Sequence, residues 1–262
     1  MTASHNAALA FDSIAQDYDR DFTLSTVGSL MRQAVWRRIQ PAAIPGSRFL
    51  ELNCGTGEDA LWLARRAVRV IATDISPKMV HIAQAKLLDA GFAEMVTVRQ
   101  LGILDLGQVS EKHFDGVLSN FGGLNCIEHL QAVALELRQL VRPGGKVFLC
   151  IMGPVCLWEW MWFLAQGRPA KAFRRLRRGG VDWSGIRIRY PQIGTVEKAF
   201  RPDFRLLHAT AIGALLPPPY TEAWAKRHPR LLALLNTWER RLEERAPLAW
   251  LADHYLLEFE RK

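Results

Sequence analysis

The stretch "LELNCGTGEDA", residues 50–60, sets Gly55 and Gly57 one residue apart directly after an apolar run, with Ala60 three positions further on. This is the G-x-G-x-x-G/A spacing of a strand-to-helix turn whose backbone N–H groups approach a nucleotide cofactor. Asp74 ends the next apolar run, "VRVIATD", where an acid accepts ribose hydroxyls. On spacing alone the turn suits a nicotinamide cofactor. The neighbouring acids do not: Glu51 at the strand tip and Glu58 in the first helical turn would set carboxylates beside a doubly negative pyrophosphate. A cationic ligand without phosphate, carrying a carboxylate for the backbone N–H groups of the turn, meets those charges better.

S-adenosylmethionine has that constitution. "ELNCGTG", followed in register by "ATDISPKM", resembles the first two motifs of the class I S-adenosylmethionine-dependent methyltransferases, of the type 11/25 kind that act on small molecules. Asn53 replaces the first glycine of the family motif, and asparagine tolerates the left-handed backbone better than other side chains. The resemblance covers residues 10–152. It implies a cofactor turn built from Glu51, Asn53, Gly55 and Gly57, with Asp74 accepting both ribose hydroxyls and Ile75 and Met79 packed beside the adenine. "AFDSIAQDYD" looks like the segment with which many members cover the cofactor, which makes Phe11 and Tyr18 contacts. Gly102 stands where many relatives carry an Asp for the adenine amino group, so backbone groups of Gly102 and Ile103 are expected there instead. Asn120 and Phe121, after the fourth strand, are expected to meet cofactor and acceptor. Asn120 lacks the Pro-Pro and aromatic residues that follow in amino-methylating DNA enzymes, which argues against a nucleic-acid base as substrate.

The elements that must position these residues are legible in the periodicity. Between residues 48 and 151, β-branched apolar runs alternate with helical patterns; Ser76 and Pro77 open one helix and Gly91 closes it. Strands joined by helices mean an α/β protein. The resemblance implies a Rossmann-like class I methyltransferase fold: a seven-stranded, mostly parallel sheet, helices on both faces, an antiparallel last strand and a helical lid insertion after the fifth. A single domain is expected, with a helical cap over 1–44, a cofactor-binding core over 45–152, the lid over 153–190, and the rest of the sheet with a helical insertion over 191–262. The chain has 262 residues, net charge +8 and no apolar run long enough to cross a bilayer. Its start lacks the basic and apolar regions of a secretory signal, so the cytoplasm is the expected compartment. Its four cysteines form no C-x-x-C pair, so no metal site or disulfide framework is indicated.

The lid should decide the substrate. Trp158, Trp160 and Trp162 precede a cluster containing Arg174, Arg175, Arg177 and Arg178. Aromatics beside arginines suit an interfacial segment, so residues 158–178 are expected to make peripheral membrane contact and the acceptor to be small and lipophilic. The alternative has the tryptophans roofing the pocket and the arginines facing water. Nucleic-acid binding is disfavoured, since no recognised RNA-binding module accompanies the cluster. Methyl transfer is an in-line displacement that asks the protein for alignment and exclusion of water, and for a base only if the nucleophile arrives protonated. Glu159, which interrupts the aromatic run, and His129, after the fourth-strand loop, are the candidate bases; His208, Tyr220 and His254 read as structural. Oxygen is the expected acceptor atom. The competing readings are an NAD-dependent oxidoreductase, or a non-catalytic lipid or nucleic-acid binding protein on a methyltransferase scaffold.

Overall fold

The computed structural model describes residues 3–262. Helices α1 (Ala3–Asp12) and α2 (Ala15–Tyr18), a π-helical turn (Asp19–Thr23) and α3 (Thr26–Ile39) precede the sheet. The alternating region then gives β1 (Arg48–Leu52), α4 (Glu58–Ala64), β2 (Arg69–Asp74), α5 (Pro77–Asp89), β3 (Val96–Gln100), β4 (Phe114–Ser119), α6 (Leu130–Leu140) and β5 (Val141–Met152). The lid contains α7 (Leu157–Ala165), α8 (Pro169–Ala172) and a two-stranded hairpin, β6 (Val181–Trp183) and β7 (Ile186–Ile188). After it come α9 (Ile193–Phe200), β8 (Phe204–Ile212), α10 (Glu222–Arg227), α11 (Pro229–Leu242) and β9 (His254–Arg261).

The large sheet has the order β3-β2-β1-β4-β5-β9-β8. The pairs among β1 to β5 are parallel, and β9 runs antiparallel between β5 and β8. Side chains alternate across a strand, so each strand feeds two cores. Leu50, Leu52, Val117, Leu149 and Leu257 face the α6 and α9 layer, while Phe49, Leu118, Phe148 and Leu256 face the α3 and α4 layer. All nine are essentially inaccessible to solvent. At roughly 1.5–3 kcal/mol for each fully buried side chain of this size, these two layers are what hold the strand ends in register.

The helix signals act as their chemistry requires. Ser76 Oγ accepts from Met79 N at 3.1 Å at the start of α5, Pro77 follows, and Gly91 takes a φ of +77° just past its end. The helix after the β4 loop is shorter than its apolar pattern, because Ile127 and Glu128 stay extended or irregular and His129 occupies the N-cap position. The β6–β7 hairpin is a feature the sequence reading passed over. Its signal was present in Ser184-Gly185, whose φ values of +49° and +80° suit a two-residue hairpin turn needing two left-handed residues. Ile186 and Ile188 of this hairpin pack on Ala10 of α1, and Phe11 meets Trp183 with ring centroids 5.6 Å apart. The cap and the lid therefore touch, over the C-terminal ends of β1, β4 and β5.

Candidate functional site

The glycine turn after β1 and the ends of β2 and β4 form the floor of a cleft roofed by α1 and α2. Of the residues expected from sequence, Tyr18, Asn53, Gly55, Asp74, Ile75, Met79, Ile103, Asn120 and Phe121 line it, as does Phe11. Glu51, Gly57 and Gly102 stand behind the lining. Ala7, Leu101, Gly123, Cys126 and Ile127 line it without having been anticipated. Leu101 follows β3 directly and was open to inference, whereas Ala7 and Cys126 carry no local signal.

Asp74 holds the turn and faces the cleft at once. Its Oδ2 accepts from Gly55 N at 2.8 Å and its Oδ1 from Ser76 N at 2.9 Å. Burial pushes its pKa up to about 6, against the pull of these backbone donors. Each carboxylate oxygen keeps a second lone pair for a ligand hydroxyl. Glu51 is buried to 1 % exposure with Oε2 unpartnered. Desolvation holds its carboxyl well above the usual range, Asp59 adds to that, and Arg32 opposes it. A buried acceptor without a donor is costly unless a ligand supplies one. The pair fits a ligand bearing ribose hydroxyls and a cationic group, and repels a pyrophosphate. Glu58, expected beside the cofactor, instead pairs with Lys86 at 3.2 Å.

Asn53 replaces the family glycine and gives it a second use. At a φ of +49° it takes the conformation that glycine would, and its Nδ2 donates to Asn120 O at 2.6 Å while Ser119 Oγ donates to its Oδ1 at 2.6 Å. The glycine turn is thereby tied to the loop after β4. Gly123 makes room, since a Cβ there would lie 2.3 Å from the Asn53 amide carbon. A buried network supports the same loop from below: Asp59 accepts from Arg32 at 2.5 Å, Trp36 Nε1 at 2.6 Å and Asn120 Nδ2 at 3.0 Å, and Asn120 Oδ1 accepts from Phe121 N at 3.1 Å. Phe121 itself has a φ of +46°, an uncommon conformation for an aromatic residue and one that tends to mark functional loops.

The cap is latched as well as packed. Asp12 accepts from Ser76 Oγ at 2.5 Å and Lys78 N at 3.1 Å, while Asp19 accepts from Thr56 Oγ1 at 2.6 Å and pairs with Lys86 at 2.7 Å. Tyr18 lies over Gly55, and burial pushes its phenol up to about 12, which keeps it neutral. Beyond Phe11 and Phe121 a second cleft opens under the lid, lined also by Met152, Arg174, Trp183 and Tyr190. The two clefts share the wall of Phe11 and Phe121 at the carboxyl ends of the strands, where open parallel sheets bind ligands.

Three expectations need correction, two of them about the lid. Glu159 does not face either cleft: it is fully buried and clamped by Arg174 and by Arg175, whose Nε lies 2.5 Å away. The physical reason is that a carboxylate among indoles must be neutralised, and the lid's own arginines do so. His129 is exposed at the start of α6 and lines neither cleft. Nor are the four arginines one solvated or lipid-facing group. Arg175 is buried, donating to Asp253 Oδ1 at 2.5 Å and to the Asp253 carbonyl at 2.9 Å, whereas Arg177 and Arg178 are exposed.

Residues 49–145 match a family described as a methyltransferase domain. The demethylmenaquinone methyltransferase of Clavibacter sepedonicus is 33% identical over 142 residues, covering 53% of this chain and 55% of that protein. The ubiquinone/menaquinone biosynthesis C-methyltransferase UbiE of Ralstonia pickettii is 34% identical over 145 residues, covering 53% and 57%. The chain thus spans little more than half the length of these curated relatives. Among solved structures, the geranyl diphosphate C-methyltransferase of Streptomyces coelicolor, in complex with magnesium, geranyl diphosphate and S-adenosyl-L-homocysteine, superposes with a TM-score of 0.58 at 11% identity, over 88% of this chain and 79% of that one. Strand order, the acid-flanked turn after β1 and the acid at the end of β2 agree with that match, and residues 49–145 form a methyltransferase domain with the class I S-adenosylmethionine-dependent fold.

Proposed function

We propose that this protein transfers a methyl group from S-adenosylmethionine to a small lipophilic acceptor seated in the cleft beneath the lid. The observation that carries the reading is the pair of buried acids at the ends of β1 and β2: Asp74 with lone pairs open to the cleft, and Glu51 with an oxygen that has no donor. The cofactor would bring ribose hydroxyls to Asp74 and positive charge toward Glu51, with Tyr18, Ile75, Met79, Asn120 and Phe121 closing round it. It supplies an activated methyl group; the chain supplies alignment and a dry surface, through the Phe11–Trp183 closure of cap on lid. The same acids disfavour the NAD-dependent oxidoreductase reading. The relatives' names support a quinol-like acceptor, and carbon rather than the oxygen expected from sequence as the atom methylated. The family match covers residues 49–145 and so does not reach the residues that line the cleft under the lid.

Contact with a lipid surface belongs to the same reading. Leu157, Met161 and Leu164 are exposed along one side of α7, with exposed Phe173 and Leu176 beyond and Arg168, Arg177 and Arg178 beside them. No helix among the described residues is long and apolar enough to cross a membrane. An apolar stripe edged with arginine suits one that lies on an anionic surface. Calorimetric titration with S-adenosylhomocysteine, S-adenosylmethionine and NAD in parallel tests the cofactor: binding of the first two alone is expected, and binding of NAD alone would overturn the reading. Sedimentation with phosphatidylserine vesicles tests the surface, and partitioning unchanged by Met161→Ser with Arg177→Ser and Arg178→Ser would remove the membrane contact.

A further inference from the structure

The cleft beneath the lid is walled mostly by apolar and aromatic side chains, Phe11, Phe121, Met152, Trp183, Ile188 and Tyr190 among them, and by one cation, Arg174. Among the described residues no other lysine or arginine lines either this cleft or the cofactor cleft. Arg174 comes from the single helical turn after α8, and its side chain is only 25% exposed. Its guanidinium lies over the ring of Phe163, 5.7 Å from the centroid. A guanidinium withdrawn from most of the solvent is costly unless acceptors meet its donors.

The chain meets that need only in part. Glu159 pairs with Arg174 Nη2, but this carboxylate is fully buried and is shared with Arg175, whose Nε lies 2.5 Å away. Arg175 differs from its neighbour in being fully engaged, since its Nη groups also meet Asp253 and the Gly153 and Asp253 carbonyls. For Arg174, Glu159 is the one protein acceptor among the described residues. A guanidinium carries five N–H donors, so most of those on Arg174 are left for a ligand or water. The acid in the same lining, Asp182, does not take them: it is exposed on β6 and forms no ion pair with Arg174, and solvent screens its charge. The half-buried cation therefore sets the electrostatic preference of the cleft.

We propose that Arg174 selects an acceptor of the aromatic carboxylic acid class, donating to the carboxylate from the N–H groups that Glu159 leaves free. The inference rests on the methyl-transfer reading and narrows its acceptor from lipophilic to amphiphilic. The aromatic body of the acceptor lies among Phe11, Phe121, Trp183 and Tyr190, and its carboxylate is turned toward Arg174. A hydrogen bond between ionised partners is roughly twice as strong as a neutral one, so the cleft distinguishes a carboxylate from a neutral group of the same shape. Arg174 acts on binding and orientation, and no bond or proton changes hands at its side chain.

The test titrates the full chain, saturated with S-adenosylhomocysteine, with 1-hydroxy-2-naphthoate and with the isosteric neutral 1-hydroxy-2-naphthamide. The acid is expected to bind roughly 10- to 100-fold more tightly than the amide. Arg174→Gln should bring the two within about threefold of each other by weakening the acid alone, with S-adenosylhomocysteine affinity retained. A structural role would weaken both ligands together, and that result overturns the proposal. So do equal affinities in the wild type, tighter binding of the amide, binding of neither, or a preference that survives Arg174→Gln. If the glutamine variant melts well below wild type because Glu159 has lost a partner, Arg174→Lys takes its place. Lysine keeps the charge beside Glu159 without the planar fork, so the preference should fall at least about threefold, and an unchanged preference overturns the proposal. If the wild type binds no S-adenosylhomocysteine, the methyl-transfer reading fails, and the comparison of acid with amide on the cofactor-free chain decides on Arg174 separately.

Discussion

The cofactor cleft and the contact between the lid and the start of β9 each bury two carboxylates among apolar side chains, and they treat them differently. Glu51 and Asp74 are met by few protein donors: Asp74 has two backbone N–H groups, and Glu51 Oε2 has none. Glu159 and Asp253 are met by guanidinium groups and, for Asp253, by a histidine. The contrast shows in their titration. Burial wins at Asp74 and Glu51, and at Glu159 against its two arginines, so that all three carboxyls rise, whereas Arg175 and His254 overcome burial at Asp253, whose carboxyl falls. Buried acids left short of donors mark where a ligand completes the structure. Acids ion-paired within the chain mark where the structure holds something else in place, here the wall of the cleft under the lid.

The largest effect expected from this contrast is at Arg175. Arg175→Leu removes the buried guanidinium that Glu159 and Asp253 share, leaving Glu159 only Arg174, and breaking a buried pair in this way costs about 3–5 kcal/mol. Urea unfolding of the variant should show that loss. A midpoint within error of wild type would mean that the lid acids are not saturated by Arg175. Asp74→Asn is expected to act on the ligand instead: S-adenosylhomocysteine should bind roughly 10- to 100-fold more weakly, as removal of hydrogen bonds to a charged group predicts, with the fold intact. Unchanged affinity would discredit the ribose assignment. Wild-type affinity should also weaken as the pH falls through about 6, because the protonated Asp74 carboxyl accepts less well; a pH-independent affinity from 7.5 to 5 would contradict this.

The smallest effect is at Glu51, and its sign is diagnostic. A carboxyl whose folded pKa lies above its unfolded one loses stability as the pH rises from the unfolded value to the folded one. Glu51→Gln removes that loss, so the ligand-free variant should melt slightly higher than wild type at pH 7.5. It should also lose several-fold in affinity for S-adenosylmethionine. A lower melting temperature would show that Glu51 is satisfied within the chain, and would erase the contrast with the lid.

How far the site was legible follows the same division. The turn from Glu51 to Gly57, the acid at Asp74 and the capped start of α5 are contiguous or spaced by one strand and helix, so residue type and spacing reveal them. Asn53 was legible as a tolerated departure, but its tie to Asn120 and Ser119, more than sixty residues away, was not. Glu159 is legible as an acid in need of a partner, but the partner expected was the cleft, whereas the structure supplies Arg174 and Arg175 from beyond α8. His254 reads as structural from the sequence, and it is buried beside Asp253 at the start of β9.

The sequence by itself determined the parallel core and the mouth of the cofactor cleft, since alternation along a strand, a glycine turn and a helix cap are local properties of neighbouring residues. Only the tertiary structure decided which buried charges are satisfied. That depends on the β5–β9 register that sets Met152 beside His254, and on the fold of the lid that carries Arg175 to Asp253, 78 residues away in the chain. Low-dielectric surroundings make such pairings decisive for each acid's charge and function, and no local pattern encodes them.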